Sequence, residues 1–369
     1  TLTGVTADGC GGVFVSMGVD GVAPLLSALA GPDVSLHFGP TMATWPATGS
    51  LPGGIVTEVA ARCDEDDKSA VATGFSRGGV GRLMVLNPTN DPNVLSSKHV
   101  RRVGSTTRVA VATAAPETDA DYFAYVADGD GISKTGEGGE EDSLLKGLMV
   151  IDASDPVRPL TKKRCDAGGA VVDVSAEGEA VFMAVEGDGA GKLRMVDTAG
   201  DLCTCEAGSC SVELPAVNPT MIATDTIDDT TVIAVATSSS YAVVLYTADA
   251  EGLSASSAAV LLTASDLQGM KVKDLAMGDG YLAILTDGGT ATENIVSYQV
   301  ASDGTLSNPG WMSTDLGLPQ AVDIEGGTAF VIAEQGVKTI ELDSGATNEV
   351  AVTGLPDLSG AIDVDVVAD

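Results

Sequence analysis

A recurring strand start constrains the fold of this chain more than any other feature. An aliphatic residue stands in the same local context at intervals of about 50 residues, the spacing of a repeated β-sheet unit. Those residues are Val5, Val59, Val109, Val174, Ile222, Leu275, Ile324 and Val364. Each of the first seven is followed by further apolar runs separated by turn residues, a pattern typical of antiparallel strands. The repeat therefore predicts several similar small sheets.

The second and third strands of each unit are the clearest parts of the repeat. They are predicted at 13–17 and 23–29, 70–75 and 82–86, 122–127 and 148–151, 181–185 and 193–196, 232–236 and 242–246, 282–285 and 295–300, and 329–333 and 337–342. A fourth, outer strand is expected in most units, for example at 258–262 or 349–353. A four-stranded unit is the usual size of a propeller blade.

One unit carries a more explicit signature. The stretch GLMVIDASDPVRPL at 147–160 follows the strand YFAYVAD at 122–128. This unit resembles the LVIVD repeat of β-propeller blades, in which an AYVAD-like strand precedes a GL-x-V-x-D-x-S-x-P-x-x-P stretch. The resemblance covers about 40 residues, and weaker copies fill the rest of the chain. It implies a propeller, and it leaves the activity open because one scaffold hosts many functions.

We therefore predict an all-β fold, a seven-bladed β-propeller of four-stranded antiparallel blades that forms a single domain over residues 1–369. The blades are expected to start near residues 4, 55, 106, 170, 219, 271 and 320. An open ring would expose strand edges. Segment 361–367 is predicted to close the ring by pairing with 13–17 as the innermost strand of the first blade. The alternative is that it begins a unit lost from this chain.

The charge of the chain bears on its partners. Lys and Arg total 19 against 52 acids, a net charge of −33. This excess argues against nucleic acid and anionic membranes, both of which attract positive charge. No run reaches the roughly 18 apolar residues of a membrane-spanning helix, so direct membrane insertion is not expected. A solvated, mutually repelling surface and divalent-cation binding both fit the acidity.

The six cysteines, Cys10, Cys63, Cys165, Cys203, Cys205 and Cys210, favour disulfides in an oxidising compartment. A zinc knuckle would need four ligands, and no histidine lies near the CTCEAGSC cluster at 203–210. In the propeller, the turns holding Cys10 and Cys63 are adjacent, which predicts a Cys10–Cys63 bond. A second bond is predicted from Cys165 to the cluster, and a third within the cluster that includes Cys210.

A chain beginning at Thr1 without a signal peptide is expected for a processed product or an excised piece.

A long acidic segment between Val126 and Leu148, ADGDGISKTGEGGEEDSLLKG, breaks the repeat. It begins like a calcium loop but lacks the later ligands of an EF-hand. The candidate calcium ligands are Asp128, Asp130, Glu140 and Glu141. A solvated loop without metal is the alternative.

Acids also recur on the predicted inner strands near the central channel. These inner-strand acids are Glu58, Asp173, Asp274, Asp323 and Asp363. One interpretation is a ring that binds cations. The other is that each carboxylate accepts hydrogen bonds from backbone N–H groups of the neighbouring blade and holds the blades in register.

A catalytic set is harder to find. The only two histidines, His37 and His99, both fall near outer strands and leave little material for a Ser-His-Asp set. Residues 294–306, NIVSYQVASDGTL, resemble a blade of lactonase-type seven-bladed propellers, but that family's site residues have no matching motifs here. The sequence thus favours a secreted or cell-surface, non-catalytic structural and interaction module, as a subunit of an extracellular assembly, with a protein partner or self-assembly. The alternative is a hydrolase or lactonase-like enzyme that uses channel carboxylates and a divalent metal.

Overall fold

The computed structural model describes the repeat units as separate β-sheets. The described residues are 2–7, 13–17, 21–28, 35–38, 43–44, 55–63, 69–77, 80–86, 100–102, 111–114, 123–132, 145–152, 160–178, 180–197, 210–215, 218–238, 241–249, 252–254, 261–287, 294–312, 319–333, 336–344 and 347–350. Side-chain surroundings are described for most of this range from residue 123 onward. All regular structure in the described part is β-strand.

The first three sheets take up the N-terminal part of the chain. Sheet 1 contains β1 (Leu2–Ala7), β2 (Val13–Met17), β3 (Gly21–Ala28), β4 (Ser35–Phe38) and β5 (Ala43–Thr44). Sheet 2 contains β6 (Ile55–Cys63), β7 (Ser69–Arg77), β8 (Val80–Leu86) and β9 (Val100–Arg102). Sheet 3 contains β10 (Val111–Ala114), β11 (Phe123–Ile132), β12 (Leu145–Asp152) and β13 (Leu160–Asp166).

Four more sheets follow in chain order. Sheet 4 contains β14 (Val171–Glu177), β15 (Ala180–Val185), β16 (Lys192–Asp197) and β17 (Ser211–Glu213). Sheet 5 contains β18 (Pro219–Ile227), β19 (Thr230–Thr237), β20 (Tyr241–Asp249), β21 (Gly252–Ser254) and β22 (Leu261–Thr263). Sheet 6 contains β23 (Val272–Gly278), β24 (Tyr281–Thr286), β25 (Ile295–Val300) and β26 (Leu306–Met312). Sheet 7 contains β27 (Pro319–Glu325), β28 (Thr328–Ala333), β29 (Gly336–Glu341) and β30 (Thr347–Val350).

Every described sheet is an antiparallel meander in which strands follow one another in chain order. Sheets 1 and 5 add a short fifth strand, because β5 pairs with β3 and β22 pairs with β20. The prediction of an all-β fold built from four-stranded antiparallel sheets is thus confirmed. Two predicted strands, β2 and β25, coincide in both bounds with the observed ones. The first strands of the sheets begin at residues 2, 55, 111, 171, 219, 272 and 319.

The middle strands explain why the sequence contains continuous apolar runs. In β15, Val181, Met183 and Val185 pack into a cluster shared with sheet 3, whereas Phe182 and Ala184 pack into a cluster shared with sheet 5. A strand buried on both faces has no polar side, so its sequence does not alternate. The same kind of apolar cluster lies between sheets 5 and 6 and between sheets 6 and 7.

The sheets are stacked through their first strands. β1 contacts β6, β6 contacts β10, β10 contacts β14, β14 contacts β18, β18 contacts β23, and β23 contacts β27. Successive sheets therefore pack face to face in chain order, which is a propeller-like arrangement. Within the described residues, no helix is long and apolar enough to cross a membrane.

The predicted pairing of 361–367 with 13–17 is wrong. β2 pairs with β1 on one side, through Val5 and Val15, and with β3 on the other, through Val15 and Ala23. A strand has two edges for hydrogen bonding, and both edges of β2 are occupied. Residues 361–367 themselves lie outside the described part of the chain.

The acidic segment is also shorter than the sequence suggested. β11 continues to Ile132, which pairs with Leu145 at the start of β12. Asp128 and Asp130 therefore belong to a strand, with a register irregularity between Asp128 and Ile132. The β11–β12 hairpin is therefore longer than expected, and strand pairing replaces part of the predicted loop. A β-bulge allows Gly and Asp residues to remain within a paired strand.

Candidate functional site: carboxylates between the sheets

The first strand of each sheet has an edge that its own sheet does not satisfy. β14, for example, pairs with β15 alone, and β18 pairs with β19 alone. Backbone N–H groups on the other edge need acceptors from elsewhere if they are buried. Four of the inner-strand acids, Glu58, Asp173, Asp274 and Asp323, lie on these first strands, so their carboxylates are the nearest candidate acceptors.

Asp173 supplies such an acceptor between sheets 4 and 5. Its Oδ2 accepts a hydrogen bond of 2.8 Å from the backbone N–H of Ile222 in β18. Its Oδ1 accepts one of 3.0 Å from the backbone N–H of Val174. The side chain is only 7% exposed, so these charge-assisted bonds offset the desolvation of the carboxylate. Asp173 thus fixes the register of β18 on β14.

Asp274 repeats the arrangement between sheets 6 and 7. Its Oδ2 accepts a 2.8 Å hydrogen bond from the backbone N–H of Val322 in β27. Both acids follow a register shift in the pairing of their strand, between Val171 and Asp173 and between Val272 and Asp274. A bulge of this kind re-aims the next side chain, which here turns toward the following sheet. Of the two interpretations of the inner-strand acids, the structure supports hydrogen bonding to the neighbouring sheet for Asp173 and Asp274.

Asp323 does not occupy the equivalent place. In sheet 7 the register shift falls between Pro319 and Ala321, so Ala321 stands where Asp274 stands in sheet 6. Asp323 lies two residues further along, and its Oδ1 accepts a 2.8 Å bond from the N–H of Ile324. Side chains alternate with a period of two, so a two-residue offset keeps the same face and is invisible in the sequence.

The remaining inner-strand acids are described less fully. Glu58 lies in β6 directly after the register shift that begins at Val56. Only its backbone position is described. Asp363 lies outside the described residues. In sheet 5 the place after the shift is taken by Met221, an apolar residue.

A second row of contacts lies at the hairpin ends of sheets 5 to 7, and sequence analysis missed it. Asp225 Oδ2 accepts a 2.8 Å bond from the N–H of Gly280, and Asp279 Oδ2 accepts a 3.0 Å bond from the N–H of Gly327. Both donors sit in two-residue turns with positive φ at both positions, 53° and 75° at Asp279 and Gly280, and 56° and 69° at Gly326 and Gly327. These values are typical of type I′ hairpins, which favour Asp-Gly and Gly-Gly. The recurring turn dipeptides were the available sequence signal.

The electrostatics of this second row differ from residue to residue. Burial raises the pKa of Asp225, and the charge of Asp279 raises it further, while the N–H of Gly280 acts in the opposite direction. Nearby, Tyr281 donates a hydrogen bond to Asp343 of sheet 7, and that bond is the main reason that its pKa is raised. These groups tie one sheet to the next at the hairpin end.

Further polar contacts complete the boundaries between sheets. The hydroxyls of Ser175 and Thr224 lie 2.8 Å apart across sheets 4 and 5. Lys273 donates a 3.0 Å hydrogen bond to the side-chain oxygen of Gln320 across sheets 6 and 7. Polar contacts between successive sheets thus accompany the apolar clusters.

The candidate calcium ligands are not brought together by the described residues. Asp128 pairs with Gly147 in β11 and β12, and Asp130 follows it in β11, whereas Glu140 and Glu141 lie outside the described part. No group of three His, Cys, Asp or Glu side chains within the described residues is placed to hold a metal ion. His37 lies on β4, an outer strand, as expected, and His99 is not described.

Two of the six cysteines are described in their surroundings, and both are disulfide-bonded: Cys165 and Cys210. Cys165 lies in β13 and is buried in the apolar cluster between sheets 3 and 4. Cys210 directly precedes β17, and its carbonyl accepts a 3.0 Å bond from the N–H of Met195. Cys63 ends β6, while Cys10, Cys203 and Cys205 lie outside the described residues, so the three predicted pairings stay predictions.

Comparison with known proteins adds to the fold assignment. No protein-family model matches the chain, and no curated protein matches its sequence, so the LVIVD resemblance stays a prediction. Sqt1 from Saccharomyces cerevisiae is similar in structure, with a TM-score of 0.55 and 8% identity over 95% of this chain and 85% of that one. A puromycin hydrolase gives a TM-score of 0.54 and 13% identity over 94% of this chain, which spans about half (53%) of that chain. At these identities the likeness concerns the fold alone.

Proposed function

We propose that this chain is a secreted or cell-surface β-propeller of seven blades in one closed domain, acting without catalysis as a structural and interaction module. Its partner is another protein or further copies of itself, in an extracellular assembly. A stack of antiparallel sheets offers broad surfaces, which suit such a role.

The observation that carries this proposal is that inner-strand carboxylates accept hydrogen bonds from backbone N–H groups. Asp173 accepts backbone hydrogen bonds on both oxygens, and Asp274 accepts one from the next sheet. A carboxylate engaged in this way serves the scaffold, since its lone pairs are directed at fixed backbone donors. Asp173 and Asp274, two of the acids that the sequence offered as a channel site, are therefore better explained as parts of the framework.

The disulfides support the proposed location. Cys165 and Cys210 are both oxidised, and such bonds persist mainly in secreted and cell-surface proteins. A net charge of −33 favours partners that are not polyanions. Peptide mapping under non-reducing conditions tests this part. It should recover Cys10 with Cys63, Cys165 with the 203–210 cluster, and one bond inside that cluster; free thiols at these positions would contradict the extracellular assignment.

Native mass measurement tests the function itself. We expect assemblies that grow with protein concentration, in multiples of the 37.0 kDa chain, and that a chelator leaves unchanged. A monomer at all concentrations that carries a stoichiometric divalent ion, lost with chelator, would favour the hydrolase or lactonase-like alternative. Lactone hydrolysis measured on the same samples, before and after chelation, then decides between the two functions.

The same chelator experiment addresses calcium. If Asp128, Asp130, Glu140 and Glu141 bind Ca²⁺, millimolar calcium should slow proteolysis between residues 129 and 143 and raise the Tm by mass action. Identical cleavage with calcium and with chelator leaves only the solvated segment.

A further inference from the structure

The outer strands of sheets 2 and 3 differ in charge from those of the other sheets. Among the described strands, β9 pairs with β8 alone and β13 pairs with β12 alone, so each forms the outer edge of its sheet. These two strands carry a group of basic residues that we call the basic rim: Arg101, Arg102, Lys162, Lys163 and Arg164. Sheets 2 and 3 pack on each other through β6 and β10, so the two edges are neighbours. The described outer strands of the other sheets contain no Lys or Arg.

The β13 part of the basic rim is accessible to a partner. The side chain of Lys162 is 50% exposed, and its Nζ forms a 2.8 Å ion pair with Asp152. Leu160, two residues earlier in the strand, is 59% exposed, more than any other large apolar residue whose surroundings are described. Surfaces that bind other proteins combine apolar contact with polar and charged groups at the margin. The β13 edge offers both.

The part of the chain after Arg194 has the opposite character. Its only Lys or Arg residues are Lys271, Lys273 and Lys338. Lys338 is 3% exposed, so it adds little positive charge to the surface. Exposed acids of this part form a row at the hairpin ends of sheets 5 to 7, which we call the acidic end: Asp228, Asp229, Asp279, Glu341 and Asp343. The second row of carboxylate hydrogen bonds joins these hairpins side by side, so the acidic end is one surface.

Charged residues on an edge strand can also serve to keep sheets from pairing with one another. Lys side chains and bulges both discourage such edge-to-edge association. The pairing of β13 has an irregularity of this kind, between Val150 and Ile151 of β12. Protection is needed at every exposed edge, and either sign of charge provides it. It therefore does not explain why basic residues are confined to two neighbouring edges of a chain with 52 acids and 19 basic residues.

We infer that the basic rim of one copy of this chain binds the acidic end of a second copy. Guanidinium and ammonium groups form charge-assisted hydrogen bonds with carboxylates, which makes the two surfaces complementary. Because the two surfaces differ, the contact is heterologous, and copies add head to tail. This inference deepens the proposed function and rests on its self-assembly, for which it names the contact.

The charge of the whole chain makes this contact sensitive to salt in two directions. A net charge of −33 repels copies from one another at a distance. The screening length falls from about 30 Å at about 0.01 M salt to about 8 Å at about 0.15 M and about 3 Å at about 1 M. Intermediate salt therefore screens the repulsion between whole chains, while ion pairs in contact persist. We expect the dissociation constant to be lowest near about 0.15 M NaCl. Association that strengthens steadily up to about 1 M NaCl would indicate an apolar contact and overturn the inference.

Sedimentation velocity of charge variants tests the basic rim. Lys162→Gln/Lys163→Gln should raise the dissociation constant of the assembly about tenfold. The matched control, Lys271→Gln/Lys273→Gln, removes an equal charge from exposed lysines of sheet 6 and should leave the dissociation constant unchanged. Edge protection alone predicts the reverse, a stronger association of Lys162→Gln/Lys163→Gln. Stronger association of that variant, or no change, overturns the inference.

A second variant examines the sheet 2 edge without disturbing the ion pair of Lys162 with Asp152. Arg101→Gln/Arg102→Gln should also weaken assembly, because both edges belong to one rim. Unchanged assembly in this variant would overturn the inference for sheet 2 and restrict the contact to β13.

Carbodiimide crosslinking of the parent chain identifies the occupant. This reagent joins an amine to a carboxylate that it touches, and an equal mixture of ¹⁴N- and ¹⁵N-labelled chains distinguishes bonds between copies from bonds within one copy. We expect bonds between copies from Lys162 or Lys163 to acids of the acidic end. Bonds between copies to other acids alone, or none in a sample that sediments as an assembly, overturn the inference.

The outcomes separate this inference from the proposed function. Equal assembly of the parent chain and of every charge variant overturns the basic-rim contact and leaves self-assembly standing. A parent chain that stays monomeric at all concentrations overturns both the contact and self-assembly.

Discussion

The boundary between sheets 5 and 6 and the boundary between sheets 4 and 5 join equivalent strands by different means. At the 4–5 boundary, the residue after the register shift is Asp173, which binds the N–H of Ile222. At the 5–6 boundary the same place holds Met221, which belongs to an apolar cluster with Leu275, Leu282 and Ile284. The carboxylate contact at the 5–6 boundary moves to the hairpin end, where Asp225 meets Gly280.

This difference shows that two tasks can be separated along one repeat. Apolar burial supplies cohesion wherever the sheets face each other. Directional hydrogen bonds fix how far one sheet slides along the next, and they are able to act near the inner edge or at the hairpin end. The following predictions alter one of these contributions at a time.

The largest effect is expected from Leu282→Ala, at the apolar 5–6 boundary. Leu282 is fully buried, and truncating a leucine in such a site leaves a cavity that costs about 2–5 kcal/mol. Urea unfolding measures the loss, with Leu193→Ala as the matched truncation at the 4–5 boundary. A cost below about 1 kcal/mol would mean that this cluster contributes little cohesion.

Asp173→Ala should rank next. It removes a charged acceptor from two backbone N–H groups and leaves that of Ile222 buried, at a cost of about 1.5–3 kcal/mol. Asp274→Ala should cost less, because Asp274 is more exposed than Asp173. Equilibrium unfolding of both variants checks the order. Asp173→Asn, which keeps one acceptor oxygen, is the control; if it costs as much as Asp173→Ala, the acceptor role is wrong.

The hydroxyl pair between sheets 4 and 5 should contribute less. A double-mutant cycle of Ser175→Ala and Thr224→Ala should give a coupling of about 0.5–1.5 kcal/mol, the usual range for a neutral hydrogen bond. Additive single effects would show that the two hydroxyls do not act together.

The smallest effects concern pH, and two acids should respond in opposite directions. Burial raises the pKa of Asp225 in the folded chain above the usual 3.8. The contribution of this group to folding stability is therefore fully present below pH 3.8, and it is lost as the pH rises through the higher pKa of the folded state. The hydroxyl of Thr263 lowers the pKa of Asp266, so that contribution is present above 3.8 and is lost as pH falls through the lower folded pKa.

Urea unfolding between pH 3 and pH 7 compares these two acids. The stability of Asp225→Asn relative to the parent chain should rise with pH, and that of Asp266→Asn should fall. Parallel curves for the two variants would contradict the assignment of opposite shifts. Because both side chains are partly or largely exposed, solvent screening keeps the effects small.

Much of the framework could be predicted from local pattern. The continuous apolar run 181–185 marked a strand correctly, since each of its residues has to be placed on one of two buried faces. The stretch 295–300 also marked a strand correctly, although it includes the exposed Gln299. The hydrogen-bonding role of Asp173 and Asp274 was one of two interpretations open at that level, and the residues themselves were correctly singled out.

The sequence by itself determined the all-β class, the strand positions and the recurrence of acids on first strands, because these depend on short-range alternation and turn chemistry. Only the tertiary structure decided that Ala321, two residues before Asp323, takes the place of Asp274, and that both edges of β2 are occupied. It also decided that Asp225 and Asp279 reach the next sheet at the hairpin ends. Register is set by pairing between distant segments, and a shift of two residues preserves every apolar position that the sequence displays.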